Sequence, residues 1–552
     1  MIEQMREKQT FLSRFFARHS WFARLLGLPR YPEKKKDAGV ILIQVDGLSH
    51  DQLKKALSAG RMPFVYNLVS GSAYHLKPCY SGIPSATPAF QGELFYSVKT
   101  CVPAFEFYDR SDGERKAMFQ PAVSREVSER LENLGPPLLS GGTAYSHIFS
   151  GGALEARYCA DRVSMESMLT AVNPFKLLFI LMFHIGKLFR VLAYSALEFV
   201  LAVTDFFRGI FTARHIRKEF TFILARIFAC IVLRELIRFR VKMDIARGVS
   251  VISANLIGYD EQAHRRGPDS RFAHWTLRGI DDVIRDIYTT AVKADGSRYR
   301  ILIYSDHGQE PVESFADRFG KSVRHAVEEV FAENGFAGPS KKIKNPDKSS
   351  DYLYYRSRKF IFPRLGFNRT GGGIPDRLEV TTMGPLGHVY LFADMPDEKR
   401  QGFAADLVKK AGIPLVLHKR KDRVWGVNSR GVWDLEKNPG DVLGHGHPFG
   451  PQVVQDLKAV LDHPDAGEFV ISGWNPRDLA MTFSMENGAH GGIGSEETRG
   501  FVILPDEWNT DVPFLRALDI RRIIMAYLKI QGIQEPQRNE ETGCTRTTAT
   551  SH

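Results

Sequence analysis

The stretch that most constrains the fold is Arg300-Ile-Leu-Ile-Tyr-Ser-Asp306-His307-Gly308. A short apolar, β-branched run reads as a buried strand, and it ends in a carboxylate, an imidazole and a glycine in succession. Adjacent residues on a regular strand point to opposite faces. Asp306 and His307 can therefore converge on one ion only where the chain turns at once, which Gly308 permits. The plain alternative is a polar turn after a strand. Two further runs have the same character: Val40-Ile-Leu-Ile-Gln-Val45, followed by Asp46-Gly47, and Gly248-Val-Ser-Val-Ile-Ser-Ala-Asn-Leu-Ile-Gly258, followed by Tyr259-Asp260. In open α/β sheets ligands collect at the carboxyl ends of strands, where Asp46 would sit.

Other stretches carry chemistry of their own. In Ile83-Pro-Ser-Ala-Thr87-Pro-Ala the Thr-Pro pair predicts a helix start with Thr87 as N-cap. A hydroxyl there lies beside free backbone N–H groups and the positive end of the helix dipole, where a phosphate is held. Asp260 and His264, four residues apart, fall on one face of a helical turn and can share an ion, although such a pair is a common accident. His490 stands among glycines in Met485-Glu-Asn-Gly-Ala-His490-Gly-Gly492, where the backbone can approach an ion closely; a solvated loop histidine is the alternative. Gly444-His-Gly-His447 reads as a surface loop, with a metal or phosphate contact as the second reading.

The 552 residues, 43% hydrophobic, suffice for a sizeable core, and the formal charge of +11 suggests an anionic partner. Five cysteines without CxxC spacing point to neither a disulfide framework nor a cysteine zinc site, so a reducing, cytoplasmic compartment is expected. Arginines at 14, 18 and 24 interrupt the N-terminal apolar residues before a secretory h-region forms. Residues 1–37 are expected to be a basic amphipathic segment. Within them, residues 11–26 suit either a lipid interface or docking on the chain's own surface. The expected catalytic α/β domain spans 38–164, 248–335 and 471–534. It is interrupted by a helical insertion at 165–247 and a smaller α/β lobe at 336–470, and a disordered tail follows at 535–552.

The 165–247 tract is strongly apolar, but charges break it too often for a membrane span of about 18–20 residues. Its basic second half suits docking on an anionic membrane surface or capping of the site. Nucleic-acid binding is not expected, because no reading motif accompanies the basic charge.

Taken in order, Asp46, Thr87, Asp260-x-x-x-His264-x-x-Gly-Pro, Asp306-His307 and His490 resemble the alkaline phosphatase superfamily, and within it the type I phosphodiesterase/nucleotide pyrophosphatase branch. The resemblance implies a central, mostly parallel sheet flanked by helices and two divalent cations sharing one phosphate. Asp260, His264 and His490 would hold one cation; Asp46, Asp306 and His307 would hold the other, with Thr87 as its ligand and the nucleophile. Zinc is the default for a mixed His/Asp set, with manganese or iron as alternatives.

The implied reaction is in-line attack by Thr87 on phosphorus, then hydrolysis of the phosphothreonine. Two departures bear on substrate. The asparagine that nucleotide-acting members place after the nucleophile is replaced here by Phe105-Glu-Phe-Tyr108-Asp109-Arg110, with Tyr108 or Arg110 as candidate substitutes, and no Cys-x-Pro-x-Arg sulfatase motif is present. The expectation is a hydrolase of phosphoric esters, a phosphodiesterase acting at the inner membrane face. The alternatives are a phosphomonoesterase and a catalytically silent membrane-surface adaptor.

Overall fold

The computed structural model describes residues 39–162, 228–295, 299–336 and 378–530. Residues 11–26, most of the apolar tract, residues 337–377 of the expected smaller lobe and the 535–552 tail lie outside the described residues.

The fold is α/β. Its main sheet has eight strands, in the spatial order Leu515–Arg516, Tyr74–Tyr80, Arg499–Pro505, Tyr299–Tyr304, Gly39–Val45, Val251–Leu256, Thr143–Tyr145 and Glu155–Arg157. Every pairing is parallel except those of Arg499–Pro505, which runs antiparallel to both neighbours. The three strands singled out from the sequence are therefore adjacent. Gly39–Val45 lies between Val251–Leu256 and Tyr299–Tyr304, parallel to both, with Gln44 opposite Asn255 on one side and Tyr304 on the other. Parallel neighbours in register end at the same edge, which places Asp46, the Asp306-His307 turn and the helix carrying Asp260 together.

The near-continuous apolar sequence of the central strand follows from burial on both faces. Val40 and Leu42 enter a core with Phe90, Leu94, Ile520 and Ile524, while Ile41, Ile43 and Val45 enter the opposite core with Leu277, Ile280 and Ile284. Each such side chain, fully withdrawn from water, contributes about 1.5–3 kcal/mol.

The helix Arg234–Arg247, at the end of the apolar tract, corrects the expectation of a lipid-facing basic surface for the part that is described. Ile237, Val241 and Ile245 pack into the core. Arg238 pairs with Glu235 and Asp286, Lys242 lies 3.8 Å from Asp286, and Arg247 pairs with Glu155 and, at 2.9 Å, with Asp244. These cations meet the protein's own acids because Asp286 and Glu155, remote in sequence, face this helix.

A second, wholly antiparallel sheet of six strands runs Leu378–Met383, Leu386–Leu391, Phe469–Ser472, Leu415–Arg420, Arg423–Asn428 and Gly431–Asp434. Its Gly384-Pro385 turn abuts the main domain: Gly384 N–H donates to Ser484 Oγ at 3.1 Å, and its carbonyl accepts from Phe483 N–H at 2.9 Å. A small third sheet serves the site directly. After His307 the chain forms Glu310–Ser314, which pairs antiparallel with Gly488–Ala489 and so lays His490 alongside.

Candidate active site

Asp46 follows its strand directly and is buried, with Oδ2 accepting from Asn255 Nδ2 at 2.8 Å. Gly47 bends the chain with φ at +71°. A Cβ there would come within 2.5 Å of Asp260 Oδ1, so only glycine lets the two acids approach. Gly308 is required for a different reason from the turn geometry expected: its backbone passes against Glu496 and Ser49, where a Cβ would collide.

Thr87 sits one position inside its expected place. Ala86, in extended conformation, is the N-cap, and Thr87 opens the helix Thr87–Tyr96 with Pro88 beside it in the first turn. Its hydroxyl is thereby released from capping and lies 3.3 Å from His307 Nε2. Asp260 and His264 share a face of the helix Gly258–Arg266, with His264 Nε2 3.5 Å from Asp260 Oδ2. His490 Nε2 lies 3.8 Å from Asp260 Oδ1, and His307 Nε2 is 3.5 Å from Asp46 Oδ1 and 3.4 Å from Asp306 Oδ2. Ligand atoms of Asp46, Asp306 and His307 fall within 4.8 Å of one another, as do those of Asp260, His307 and His490. The fold thus gathers all seven side chains, with His307 between the two groups.

All three imidazoles point the same way chemically. His307 Nδ1 is 2.9 Å from the Gly308 carbonyl, His490 Nδ1 is 3.2 Å from the Ser85 carbonyl, and His264 Nδ1 is 2.9 Å from Glu486 Oε2 and 3.0 Å from the Gly488 carbonyl. These acceptors require a proton on Nδ1, so each ring turns Nε2 toward the carboxylates, the orientation that metal-ligating histidines adopt.

Two of the carboxylates have oxygens that lack partners. Asp46 Oδ1 and both oxygens of Asp306 are buried without a partner in hydrogen-bonding geometry, although the nearby Thr87 hydroxyl favours the charged form of Asp306. Burial, then repulsion from Asp306 and Asp260, raises Asp46 well above the usual carboxylate range, and burial pushes Asp306 up to about 7. Burial acts on Asp260 in the same direction, but His264, His490 and His307 outweigh it and hold this acid low. Burial would lower His264, yet Asp260 and Glu486 raise it. Orphaned buried oxygens facing inward-turned Nε2 atoms are a donor set that fits divalent cations.

Tyr108 and Arg110 are not brought to this cluster. The Tyr108 ring packs on Tyr390 and Phe392, and Arg110 donates to the Ala466 carbonyl and Glu468, all in the second sheet and its adjoining loop. His447 is structural, its Nε2 bonding the Ile493 carbonyl and its Nδ1 accepting from Phe449 N–H. Sequence reasoning passed over Asn255, Gln309, which donates to Asp260 Oδ1 at 2.6 Å, and Glu486. A third acidic group, Asp109, Asp112 and Glu126, already encloses the Lys116 ammonium.

Residues 213–430 match the sequence model of the family described as type I phosphodiesterase / nucleotide pyrophosphatase. No curated protein matches the sequence. Among solved structures, phosphonoacetate hydrolase from Sinorhizobium meliloti 1021 in complex with phosphonoformate is similar at 13% identity and a TM-score of 0.44, over 90% of this chain and 97% of that one. Murine ectonucleotide pyrophosphatase / phosphodiesterase 5, an inactive form in complex with AMP, is similar at 9% identity and a TM-score of 0.44, over 91% and 97% of the respective chains.

Proposed function

We propose, from the match of residues 213–430 to the type I phosphodiesterase / nucleotide pyrophosphatase family and from the site's geometry, that this chain is a metal-dependent phosphodiesterase working through a phosphothreonine on Thr87 at a two-cation site. The observation that carries the proposal is the common orientation of His264, His307 and His490, each donating from Nδ1 and offering Nε2 to a buried carboxylate.

Two divalent cations, zinc by donor chemistry with manganese or iron as alternatives, would supply charge neutralisation for the phosphoryl group and acidity for the threonine hydroxyl. The chain's own residues do the rest. The N-terminal amides of the helix Thr87–Tyr96, beside the Thr87 hydroxyl, would bind phosphoryl oxygens. Thr87 Oγ attacks phosphorus as the ester alcohol departs, and water then attacks the phosphothreonine, releasing phosphate monoester and restoring the hydroxyl. Asn255 and Gln309 hold Asp46 and Asp260 in place throughout.

A membrane-associated substrate at the cytoplasmic face, reached through residues 11–26 and the apolar tract from 165, belongs to the same proposal and rests on composition. Among the described residues no helix is long and apolar enough to cross a membrane. Turnover of bis-p-nitrophenyl phosphate against p-nitrophenyl phosphate by metal-loaded protein tests the central reading. Preference for the diester supports it, preference for the monoester makes the protein a phosphomonoesterase, and no turnover with no bound metal leaves an adaptor. Flotation with anionic liposomes, with and without residues 163–227, tests the membrane part: unchanged binding after deletion removes the tract.

A further inference from the structure

Ser85 and Glu497 form a buried link between the two segments that carry Thr87 and His490. Glu497 is 2% exposed, yet its carboxylate accepts from Gly494 N–H at 2.7 Å on Oε1 and from Gly492 N–H at 2.7 Å on Oε2, and Oε2 also lies 3.0 Å from the Ser85 hydroxyl. Ser85 is fully buried. Its Oγ also approaches the Gly492 carbonyl at 2.9 Å and accepts from Gly491 N–H at 3.1 Å. The Ser85 carbonyl accepts the Nδ1 proton of His490 at 3.2 Å. Thr87 follows Ser85 by two residues, and the loop tied by Glu497 begins immediately after His490.

We propose that Glu497 is a positioning residue: through Ser85 and the Gly491–Gly494 amides it sets the His490 ring against the segment that presents Thr87. This rests on the hydrolase reading above. The chemistry of the link requires an acceptor-only group at 497. The Gly494 and Gly492 amides donate one to each carboxylate oxygen, so an amide side chain in either orientation would turn its NH₂ toward one of them and leave a buried donor opposed. The loop's glycines fit the same purpose. A Cβ at Gly492 would come within 2.7 Å of Glu497 Oε1, so the backbone approaches the carboxylate as closely as it does only without side chains. A partner that orients a ligating imidazole through its second nitrogen typically changes metal affinity or activity by about 10- to 100-fold when removed.

The test uses full-length protein carrying Ser85→Ala, Glu497→Gln or both, read by four measurements. These are thermal unfolding, zinc titration by calorimetry, the His490 imidazole ¹⁵N signals of metal-free protein, and kcat and KM for bis-p-nitrophenyl phosphate. The expected result is a folded Ser85→Ala protein with zinc affinity or kcat lowered about tenfold or more, KM within about threefold, and displaced His490 nitrogen signals. The double variant is expected to be no worse than Glu497→Gln alone, because both act through one link. Unmoved His490 signals with unchanged zinc affinity in folded Ser85→Ala would overturn the assignment, as would effects that simply add. Should Glu497→Gln fail to fold, Ser85→Ala decides alone. If wild-type protein turns over no ester, the hydrolase reading fails, while the imidazole signals still decide whether the link orients His490.

Discussion

His307 and His490 lie face to face, with ring centroids 3.7 Å apart and planes 16° from parallel. One ring follows a central strand and the other sits in a glycine loop. Two imidazolium ions at this distance in a buried site would repel strongly, so the pair does not carry two charges. Burial, then His307, keeps His490 neutral well below the ordinary histidine range. A neutral ring whose Nδ1 proton is committed to Ser85 keeps the Nε2 lone pair for the site.

Replacing Thr87 by alanine is expected to lower kcat for bis-p-nitrophenyl phosphate by about 10³-fold or more, while Thr87→Ser retains measurable turnover. Because the Thr87 side chain contributes no cap to its helix, the unfolding temperature of Thr87→Ala should stay near that of wild type. Wild-type turnover in a folded Thr87→Ala protein would exclude the phosphothreonine.

Asn255→Leu removes the side-chain donor to Asp46 Oδ2 and leaves the seven clustered side chains themselves unchanged. Divalent-cation affinity, measured by titration into metal-free protein, should fall by about 10- to 100-fold. An unchanged affinity would show that Asp46 is held adequately by its strand.

Gly47→Ala places a methyl against Asp260 in a backbone conformation with φ at +71°. The left-handed conformation alone costs about 1–2 kcal/mol. The expected outcome is a modestly lowered unfolding temperature together with a disproportionate loss of metal affinity, read by calorimetry on the same preparation.

Glu310 provides a pH prediction outside the cluster. Burial, then Glu497 and Glu496, raises its pKa from an ordinary 4.5 to about 8, even though Oε1 accepts from Glu496 N–H at 2.6 Å. A raised folded pKa means that the native state binds more protons than the unfolded chain between those values, so stability declines as pH rises from about 4.5 through 8. Metal-free protein should unfold at a higher temperature at pH 5.5 than at pH 8.5, and Glu310→Gln should flatten that slope. An identical slope in the variant would show that other groups set it.

Chelation completes the set. Dialysis against a chelator should abolish turnover, and zinc or manganese should restore it. The metal-free protein should lose stability as pH rises from about 3.8 through about 7, the window in which burial keeps Asp306 protonated in the folded chain after the unfolded chain has lost that proton. Activity undiminished by complete metal removal would remove both cations from the account.

The strand ends were legible because an apolar β-branched run closing in Asp or Asp-His is read from chemistry that is local in sequence. Neighbouring parallel strands then bring such ends together. Thr87-Pro88 gave the helix start to within one residue, a difference within the ordinary ambiguity of helix boundaries. Tyr108 and Arg110 misled because a residue's offset from the nucleophile does not say which sheet its strand joins. Asn255, Gln309 and Glu486 were overlooked because a polar residue acting through a partner across the fold has no spacing pattern. The basic face of Arg234–Arg247 looked exposed for the complementary reason: its counter-charges lie far along the chain.

The antiparallel strand Arg499–Pro505 joins Tyr74–Tyr80 to Tyr299–Tyr304 in the interior of the main sheet. During synthesis, strand Tyr74–Tyr80 and the helix following it have no seat in the sheet until the ribosome has delivered residue 505. A nascent chain halted earlier can pair Gly39–Val45 with Val251–Leu256 and Tyr299–Tyr304, but it leaves an open sheet edge for chaperones to cover. Thr87 and His490 therefore meet only in molecules whose translation has passed residue 505, so a chain truncated before that strand has no sheet position for the segment that leads into Thr87.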